Sequence, residues 1–211
     1  MPRAILNPEI ESYLRSVAGS SHPLGEEMEK LAADRNFPIV GPLVGRLLFQ
    51  QAKLLGARRI LELGSGYGYS AFWFAQAVGE DGTVVCTELS DENVRTGRGF
   101  LQKAGLKGRV RWHTGNALEL VEQIEGPFDI IFNDVDKAQY PESFLRAEGK
   151  LRPGGLFISD NMLWFGRVTE PNPDDDTRGI QKLTQMLYSN PRYVTTIIPL
   201  RDGVSISLKL Q

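Results

Sequence analysis

The chain has 211 residues, 41% of them hydrophobic and 24% charged, and its formal net charge is −2. This length and composition are typical of one soluble globular domain large enough to bury a core. The near balance of charges argues against binding nucleic acid through a basic face. The single cysteine, Cys86, excludes a disulfide framework within the chain and argues against a cysteine zinc site. Because Cys86 follows two valines, we expect it to be a small core residue.

The N-terminal region is predicted to be helical. Apolar residues with helical spacing at 10–14 and 44–55 predict helices within residues 1–58. We interpret this region as a helical cap or an oligomer-forming segment on a single domain that spans residues 1–211. The first residues lack the apolar stretch of a signal peptide, and no run approaches the roughly 20 apolar residues of a membrane helix. We therefore expect a cytoplasmic protein without a membrane partner.

Residues 59–211 show an alternation of strand and helix patterns. Five apolar runs predict strands, at 59–64, 83–88, 109–113, 128–132 and 156–159. Helical patterns follow them, at 71–78, 90–105, 117–124, 140–150 and 177–189. A hairpin turn signal at 201–203 joins two last predicted strands, at 193–199 and 204–210. These units predict a doubly wound α/β fold: a seven-stranded, mostly parallel sheet with helices on both faces and an antiparallel C-terminal hairpin.

Acidic residues follow three of the first five predicted strands, at positions where a sheet needs none. Glu88 ends the second strand, Asp134 follows the fourth and Asp160 follows the fifth. In an open α/β sheet, ligands bind beyond the carboxyl ends of the strands, near the point where the strand order reverses. We therefore expect the functional site at this edge of the sheet.

A glycine run after the first strand predicts close approach of the backbone to a ligand. Gly64 and Gly66 begin a G-x-G-x-G pattern, whereas a dinucleotide-binding loop would have its third glycine or alanine at Tyr69. Glu62 would repel a pyrophosphate here but would attract the cationic S-adenosylmethionine (SAM), so SAM fits the charge better than NAD. Glu88 lies about 20 residues further on, where such folds place a ribose-binding carboxylate. An NAD-dependent oxidoreductase remains the alternative.

Oxygen ligands gather at the ends of two strands that we expect to be neighbours. Asp134, Asp160 and Asn161 would supply two carboxylates and an amide oxygen, a set that suits a hard cation such as Mg²⁺. The alternative is that Asp160 and Asn161 only cap a loop. Lys137, three residues after Asp134, is a candidate general base with a depressed pKa. The alternative for Lys137 is a solvated surface lysine.

Three segments resemble the metal-dependent, class I O-methyltransferase family of the catechol and caffeoyl-CoA type. They are LELG with GYS at 61–70, DVDK at 134–137 and DNMLWFGRV at 160–168, in that order, within a likeness that spans roughly residues 38 to 210. The resemblance implies a Rossmann-like class I methyltransferase fold and a bacterial-type member. It also implies methyl transfer from SAM to a hydroxyl of a small, catechol-like aromatic substrate. Mg²⁺, or another divalent cation such as Mn²⁺ or Ca²⁺, would be required, and the protein would be a homodimer.

The resemblance also implies roles for individual residues. The implied metal ligands are Asp134, Asp160 and Asn161, and Lys137 is the implied base. The implied SAM-binding residues are Val40, Glu62, Gly64, Gly66, Ser70, Glu88, Ala117 and Asp134, and Trp164 would flank the acceptor ring. Two positions depart from the family pattern. Asn133 stands where most members have an apolar residue, and Phe165 replaces a glycine that often follows the tryptophan.

Overall fold

Three helices precede the sheet in the computed structural model, which describes residues 5–19 and 22–211. They are α1 (Pro8–Ala18), α2 (Pro23–Arg35) and α3 (Gly41–Leu55). Each has a proline in its first turn, where the missing N–H costs no intrahelical hydrogen bond. The helical cap is thus confirmed for the described residues, while 1–4 and 20–21 lie outside them. In the described part of the chain, no helix combines the length and apolar character needed to cross a bilayer.

A seven-stranded mixed sheet forms the centre of the protein. Its strands are β1 (Arg59–Leu63), β2 (Thr83–Glu88), β3 (Val110–Thr114), β4 (Phe128–Asn133), β5 (Leu151–Ser159), β6 (Tyr193–Ile198) and β7 (Val204–Lys209). The strand order is β3-β2-β1-β4-β5-β7-β6, with the first five strands parallel and β7 antiparallel to both β5 and β6. The strand order reverses between β1 and β4, so their carboxyl ends flank the crevice in which such sheets bind ligands.

Helices cover both faces of the sheet, which confirms the doubly wound fold. The remaining helices are α4 (Tyr69–Ala77), α5 (Asp91–Lys103), α6 (Ala117–Gln123), α7 (Tyr140–Ala147) and α8 (Asp175–Ser189). Because side chains alternate along a strand, Ile60 joins the core under α3 and α4, whereas Leu61 and Leu63 join the core under α6, α7 and α8. Cys86 is fully buried in the first of these cores, as predicted.

The structure corrects the predicted start of β5. The sequence predicts a turn at Pro153 to Gly155 and a strand only from residue 156, but β5 already begins at Leu151. Leu151 pairs with Phe128, and the register with β4 then shifts before Ile130 pairs with Leu156. Pro153, Gly154 and Gly155 therefore lie in an irregular stretch of β5. A regularly hydrogen-bonded strand would disfavour proline and glycine, but an irregular stretch tolerates them.

Gly179 in α8 packs directly on the 3₁₀ turn that begins at Lys137. A Cβ atom at Gly179 would lie 2.1 Å from the carbonyl oxygen of Lys137 and 2.8 Å from Cα of Ala138. We expect Gly179→Ala to lower the free energy of unfolding by about 1–3 kcal/mol. The added methyl group would overlap two backbone atoms, and these can move only if the 3₁₀ turn shifts. Gly99→Ala in α5 is the control, since a Cβ there meets no described atom within 4 Å. It should stabilise by about 0.5–1 kcal/mol through helix propensity. Urea unfolding of both variants would detect the difference, and equal stabilities would contradict the close contact.

Candidate active site

A cavity of about 770 Å³ opens at the carboxyl edge of the parallel strands. Its walls come from the segments that follow β1 to β5, together with residues 37–40 and part of the β6–β7 turn. Eleven residues that the sequence predicted for the site line it: Val40, Gly64, Gly66, Ser70, Glu88, Ala117, Asp134, Lys137, Asp160, Asn161 and Trp164. The structure therefore brings together side chains that lie up to 124 residues apart in the sequence, from position 40 to position 164.

Backbone conformation and close packing account for two of the glycines. Gly64 has a φ of +80°, and a Cβ atom there would lie 2.6 Å from the carbonyl oxygen of Asp134. Only glycine lets the loop after β1 approach the end of β4 so closely. Gly66 has a φ of +52°, and its N–H donates to Glu88 at 2.8 Å. The other Glu88 oxygen accepts from the Ser90 N–H at 3.0 Å and from Asn93 Nδ2 at 2.9 Å, which fixes the carboxylate at the cavity wall.

Glu62 is the one predicted site residue that does not line the cavity. Its side chain is fully buried beneath the glycine loop, and the Cys86 thiol donates to Oε2 at 3.4 Å. Within the described residues, Oε1 has no hydrogen-bond partner. Burial raises the pKa of Glu62 to about 7, although the nearby hydroxyls of Ser70 and Ser65 act in the opposite direction. Glu62 thus lies behind Ser70, which itself reaches the cavity.

The raised pKa of Glu62 makes stability depend on pH. A carboxyl group whose pKa is higher in the folded protein binds its proton more tightly there than in the unfolded chain. The stabilisation that Glu62 contributes to the free energy of unfolding is therefore complete below about pH 4.5, and it is lost as the pH rises towards 7. We expect the ligand-free wild type to lose up to about 3 kcal/mol relative to Glu62→Gln across this window. Urea unfolding of both proteins at several pH values would measure this difference, and parallel curves would contradict the assignment.

Asp134, Asp160 and Asn161 line the same cavity, and Asp134 lies close enough to Asp160 to shift its pKa. Asp160 is only 3% exposed, and its Oδ1 finds no hydrogen-bond partner among the described residues. Burial, and next the charge of Asp134, raise the pKa of Asp160. Nδ2 of Asn161 donates to Asp202 at 3.3 Å, which leaves the amide oxygen of Asn161 available.

This donor set fits a hard divalent cation. Two carboxylates, one with a buried oxygen that has no partner among the described residues, and the Asn161 amide oxygen form a set of oxygen donors that Mg²⁺, Mn²⁺ or Ca²⁺ accepts. No group of three or more His, Cys, Asp or Glu side chains in residues 5–19 and 22–211 is arranged to hold a metal. Coordination by two carboxylates and one amide would leave further positions to water or substrate oxygens.

Lys137 lies in the site and not on the solvated surface. Its side chain is 14% exposed, and Nζ donates to Asp134 Oδ1 at 2.7 Å. Nζ also lies 5.3 Å from the centroid of the Tyr140 ring and 5.9 Å from that of the Trp164 ring. The predicted depressed pKa is wrong for the ligand-free protein. Burial lowers the pKa of Lys137, but the charge of Asp134, followed by Tyr140 and Asp160, raises it above its ordinary value.

The structure shows how both departures from the family pattern are accommodated. Asn133 is fully buried, and its Nδ2 donates to Ser159 Oγ at 3.3 Å while its Oδ1 accepts from Ser143 Oγ at 2.8 Å. The two serines thus supply the hydrogen bonds that the buried Asn133 amide requires. An apolar side chain at this position would require no such partners. Phe165 adopts a φ of +52°, a conformation that glycine prefers, and its N–H donates to Asp202.

Sequence reasoning missed several residues of the site. Phe37 packs against the glycine loop, since a Cβ atom at Gly66 would lie 3.0 Å from its ring. Arg201 lines the cavity and donates to the carbonyl of Ile39, which joins the β6–β7 turn to residues 37–40. The sequence shows Arg201 only as part of a hairpin turn. No local sequence pattern predicts these contacts, because each contact joins two segments that are distant in the chain.

The chain matches known proteins over nearly its whole length. Residues 16–210 match the O-methyltransferase family. A catechol O-methyltransferase from Niastella koreensis is 34% identical over 179 residues, which cover 80% of this chain and 81% of the relative. A caffeoyl-CoA O-methyltransferase from Eucalyptus gunnii is 31% identical over 180 residues, covering 79% and 72%.

Solved structures share the fold. The O-methyltransferase TomG from Streptomyces achromogenes, involved in tomaymycin synthesis and crystallised with SAM, superposes with a TM-score of 0.88 at 29% identity and covers 96% of both chains. An O-methyltransferase from Bacillus cereus in complex with S-adenosylhomocysteine (SAH) has a TM-score of 0.87 at 30% identity, covering 95% of this chain and 97% of the other. Neither the family match nor these relatives support an NAD-dependent oxidoreductase. The chain therefore belongs to the O-methyltransferase family and is a SAM-dependent O-methyltransferase, as the resemblance in its sequence predicted.

Proposed function

We propose that this enzyme requires a divalent cation and methylates one hydroxyl of a small aromatic substrate with two adjacent hydroxyl groups. The observation that carries the proposal is the cluster of Asp134, Asp160 and Asn161 beside Lys137, in the same cavity as the glycine loop. Two adjacent oxygens can bind one cation together, which would fix the orientation of the acceptor. The relatives named as catechol and caffeoyl-CoA O-methyltransferases support this class of acceptor.

SAM is proposed to bind along the glycine loop. Val40, Gly64 and Ser70 lie where they would hold its methionine end, with Gly66 and Asp134 beside them. The Glu88 carboxylate would accept hydrogen bonds from the ribose hydroxyls, since its orientation is already fixed by three donors. Ala117 lies on the wall where the adenine would pack. The SAM and SAH complexes of the two structural relatives support SAM as the cofactor that this fold binds.

The chain's own groups would then prepare the acceptor for methyl transfer. Asp134, Asp160 and Asn161 would hold the cation, which when bound acts as a Lewis acid towards a hydroxyl oxygen. Lys137 Nζ lies on the cavity wall 2.7 Å from Asp134, one of the charges that raise its pKa. With the charges of Asp134 and Asp160 offset by the cation, the pKa of Lys137 would fall, and its neutral amine would take the hydroxyl proton. Trp164 would flank the acceptor ring, and the cavity walls would orient the oxygen towards the methyl group.

An assay with and without metal tests the proposal. The purified protein is incubated with SAM and a panel of catechols such as caffeic acid, and SAH is followed in Mg²⁺ or in EDTA. We expect SAH to form in Mg²⁺ and not in EDTA. Turnover that is indifferent to EDTA would overturn the cation requirement while leaving the SAM site intact. If no catechol is methylated although SAM binds by calorimetry, the acceptor class is wrong.

Glu88→Ala is expected to weaken SAM binding. Loss of a carboxylate that bonds to the ribose should raise the Kd by roughly 10–100-fold, the effect of removing a hydrogen bond to a charged group. Glu92→Ala is the control, because Glu92 is an exposed acid on α5 that pairs with Arg35 away from the cavity. Calorimetric titration with SAM would separate the two variants. An unchanged Kd in Glu88→Ala would remove Glu88 from the cofactor site.

We also propose that the protein is a homodimer. Helix α1 leaves Ile10, Tyr13 and Val17 exposed, and none of its described residues is buried in the protomer. Apolar side chains of this kind on one helix favour an interface. Light scattering should give twice the mass of one chain, and a mass equal to one chain would reject the dimer.

A further inference from the structure

The turn between β6 and β7 places a buried acid beneath the proposed cation site. Asp202 is 4% exposed, although it lies in a hairpin turn, where side chains are normally solvated. Its Oδ2 accepts from Asn161 Nδ2 at 3.3 Å, and its Oδ1 accepts from the Phe165 N–H. The backbone carbonyl of Asp202 accepts from the Leu163 N–H at 2.9 Å, and that of Gly203 accepts from the Met162 N–H at 2.8 Å.

The segment held by these contacts has an unfavourable backbone. Asn161, Trp164 and Phe165 have φ values of +57°, +45° and +52°. Tryptophan and phenylalanine rarely adopt this left-handed conformation, so surrounding contacts must maintain it. The carboxylate of Asp202 supplies one such contact at each end of the segment, at Asn161 and at Phe165.

Asp202 also determines which end of the Asn161 amide faces the cavity. An ionised carboxylate only accepts hydrogen bonds, so the amide nitrogen of Asn161 must turn towards it. The amide oxygen is then left for the cavity that Asn161 lines. Without the carboxylate, the amide is free to rotate and present its nitrogen, which cannot ligate a cation.

We propose that Asp202 is a positioning residue that orients Asn161 as a cation ligand and holds the segment from Asn161 to Phe165 in its binding conformation. This inference rests on the proposed cation requirement. Asp202 does not touch the reacting atoms but acts through its two hydrogen bonds. Partners of this kind behind a metal ligand typically contribute 10–100-fold to metal affinity.

Asp202→Asn tests the proposal with almost no change of shape. Asn161 and the Phe165 N–H donate to different oxygens of Asp202, and asparagine replaces one of these oxygens by an NH₂ group, so in the same position it loses one of the two bonds. Calorimetry without acceptor should show Mn²⁺ binding weakened by roughly 10–100-fold, with SAM affinity unchanged. Asn161→Ala should weaken Mn²⁺ binding too, and adding Asp202→Asn to it should cause little further loss, because one residue acts through the other.

Each other result overturns the positioning role of Asp202 or the cation requirement itself. Wild-type Mn²⁺ affinity in Asp202→Asn, or losses that add in the double variant, would overturn the positioning role. Parallel losses of Mn²⁺ and SAM affinity would show a merely structural role and would overturn it as well. If wild type itself does not bind Mn²⁺, the cation requirement fails, and the positioning role fails with it. Should Asp202→Asn not fold, Asp202→Glu carries the same test, because it keeps the charge but displaces the carboxylate.

Discussion

Asp160→Ala is expected to abolish Mg²⁺-dependent turnover while SAM binding stays close to that of wild type. The substitution removes one of the two carboxylates of the proposed cation site, including the buried Oδ1 that has no partner among the described residues. Loss of several kcal/mol of charge stabilisation corresponds to a fall in kcat/KM of roughly 10³-fold or more. Calorimetry with SAM and SAH formation in Mg²⁺ would measure both quantities.

The backbone around Asp160 should survive this substitution. The Asp160 N–H donates to the Asn133 carbonyl at 3.3 Å, and the Asp160 carbonyl accepts from the Tyr140 hydroxyl at 2.9 Å. Neither bond uses the side chain that is removed. Asp175→Ala is a matched control, since Asp175 is an exposed carboxylate that pairs with Arg178. Full activity in Asp160→Ala would disprove the metal assignment, and equal losses in both variants would show a nonspecific effect.

Lys137→Ala is expected to lower kcat by roughly 10²–10⁴-fold, the usual contribution of a general base. Nζ of Lys137 lies between Asp134 and the rings of Tyr140 and Trp164, so it has a defined position from which to take a proton. SAM affinity should change little, because the glycine loop and Glu88 are untouched. Single-turnover rates at saturating SAM and Mg²⁺ would measure the chemical step directly.

Lys137→Arg distinguishes a base from a fixed positive charge. Arginine keeps its proton at any pH used for the assay, so it can replace the charge but cannot accept a proton. We therefore expect Lys137→Arg to be as slow as Lys137→Ala. Substantial activity in Lys137→Arg would show that the charge alone matters, and an unchanged rate in Lys137→Ala would remove Lys137 from the mechanism.

The sequence alone predicted most of the fold because its signals are local. Apolar runs and helical spacing located all seven strands, and the fold rule for parallel sheets located the ligand site at their carboxyl ends. The same logic found Glu88, Asp134 and Asp160, since Glu88 ends a strand and the other two directly follow one. The start of β5 was wrong because Pro153 and Gly154 signal a turn, while pairing with β4 keeps them within an irregular strand.

Tertiary structure decided the properties that depend on distant segments. The predicted depressed pKa of Lys137 reversed because Asp134 and Asp160, from two different strands, both add negative charge around the amine. Glu62 proved to be fully buried and absent from the cavity lining, on the face of β1 opposite to Leu61 and Leu63.

The role inferred for Asp202 has the same origin. Asp202 and Asn161 are 41 positions apart in the chain, yet their side chains are 3.3 Å apart at the site. Residue order determined which strands, helices and strand-end acids this protein has, because those follow from neighbours in the chain. The electrostatics and orientation of each group were decided only by packing, because charge and hydrogen bonding act through space over a few ångströms, whatever the separation in sequence.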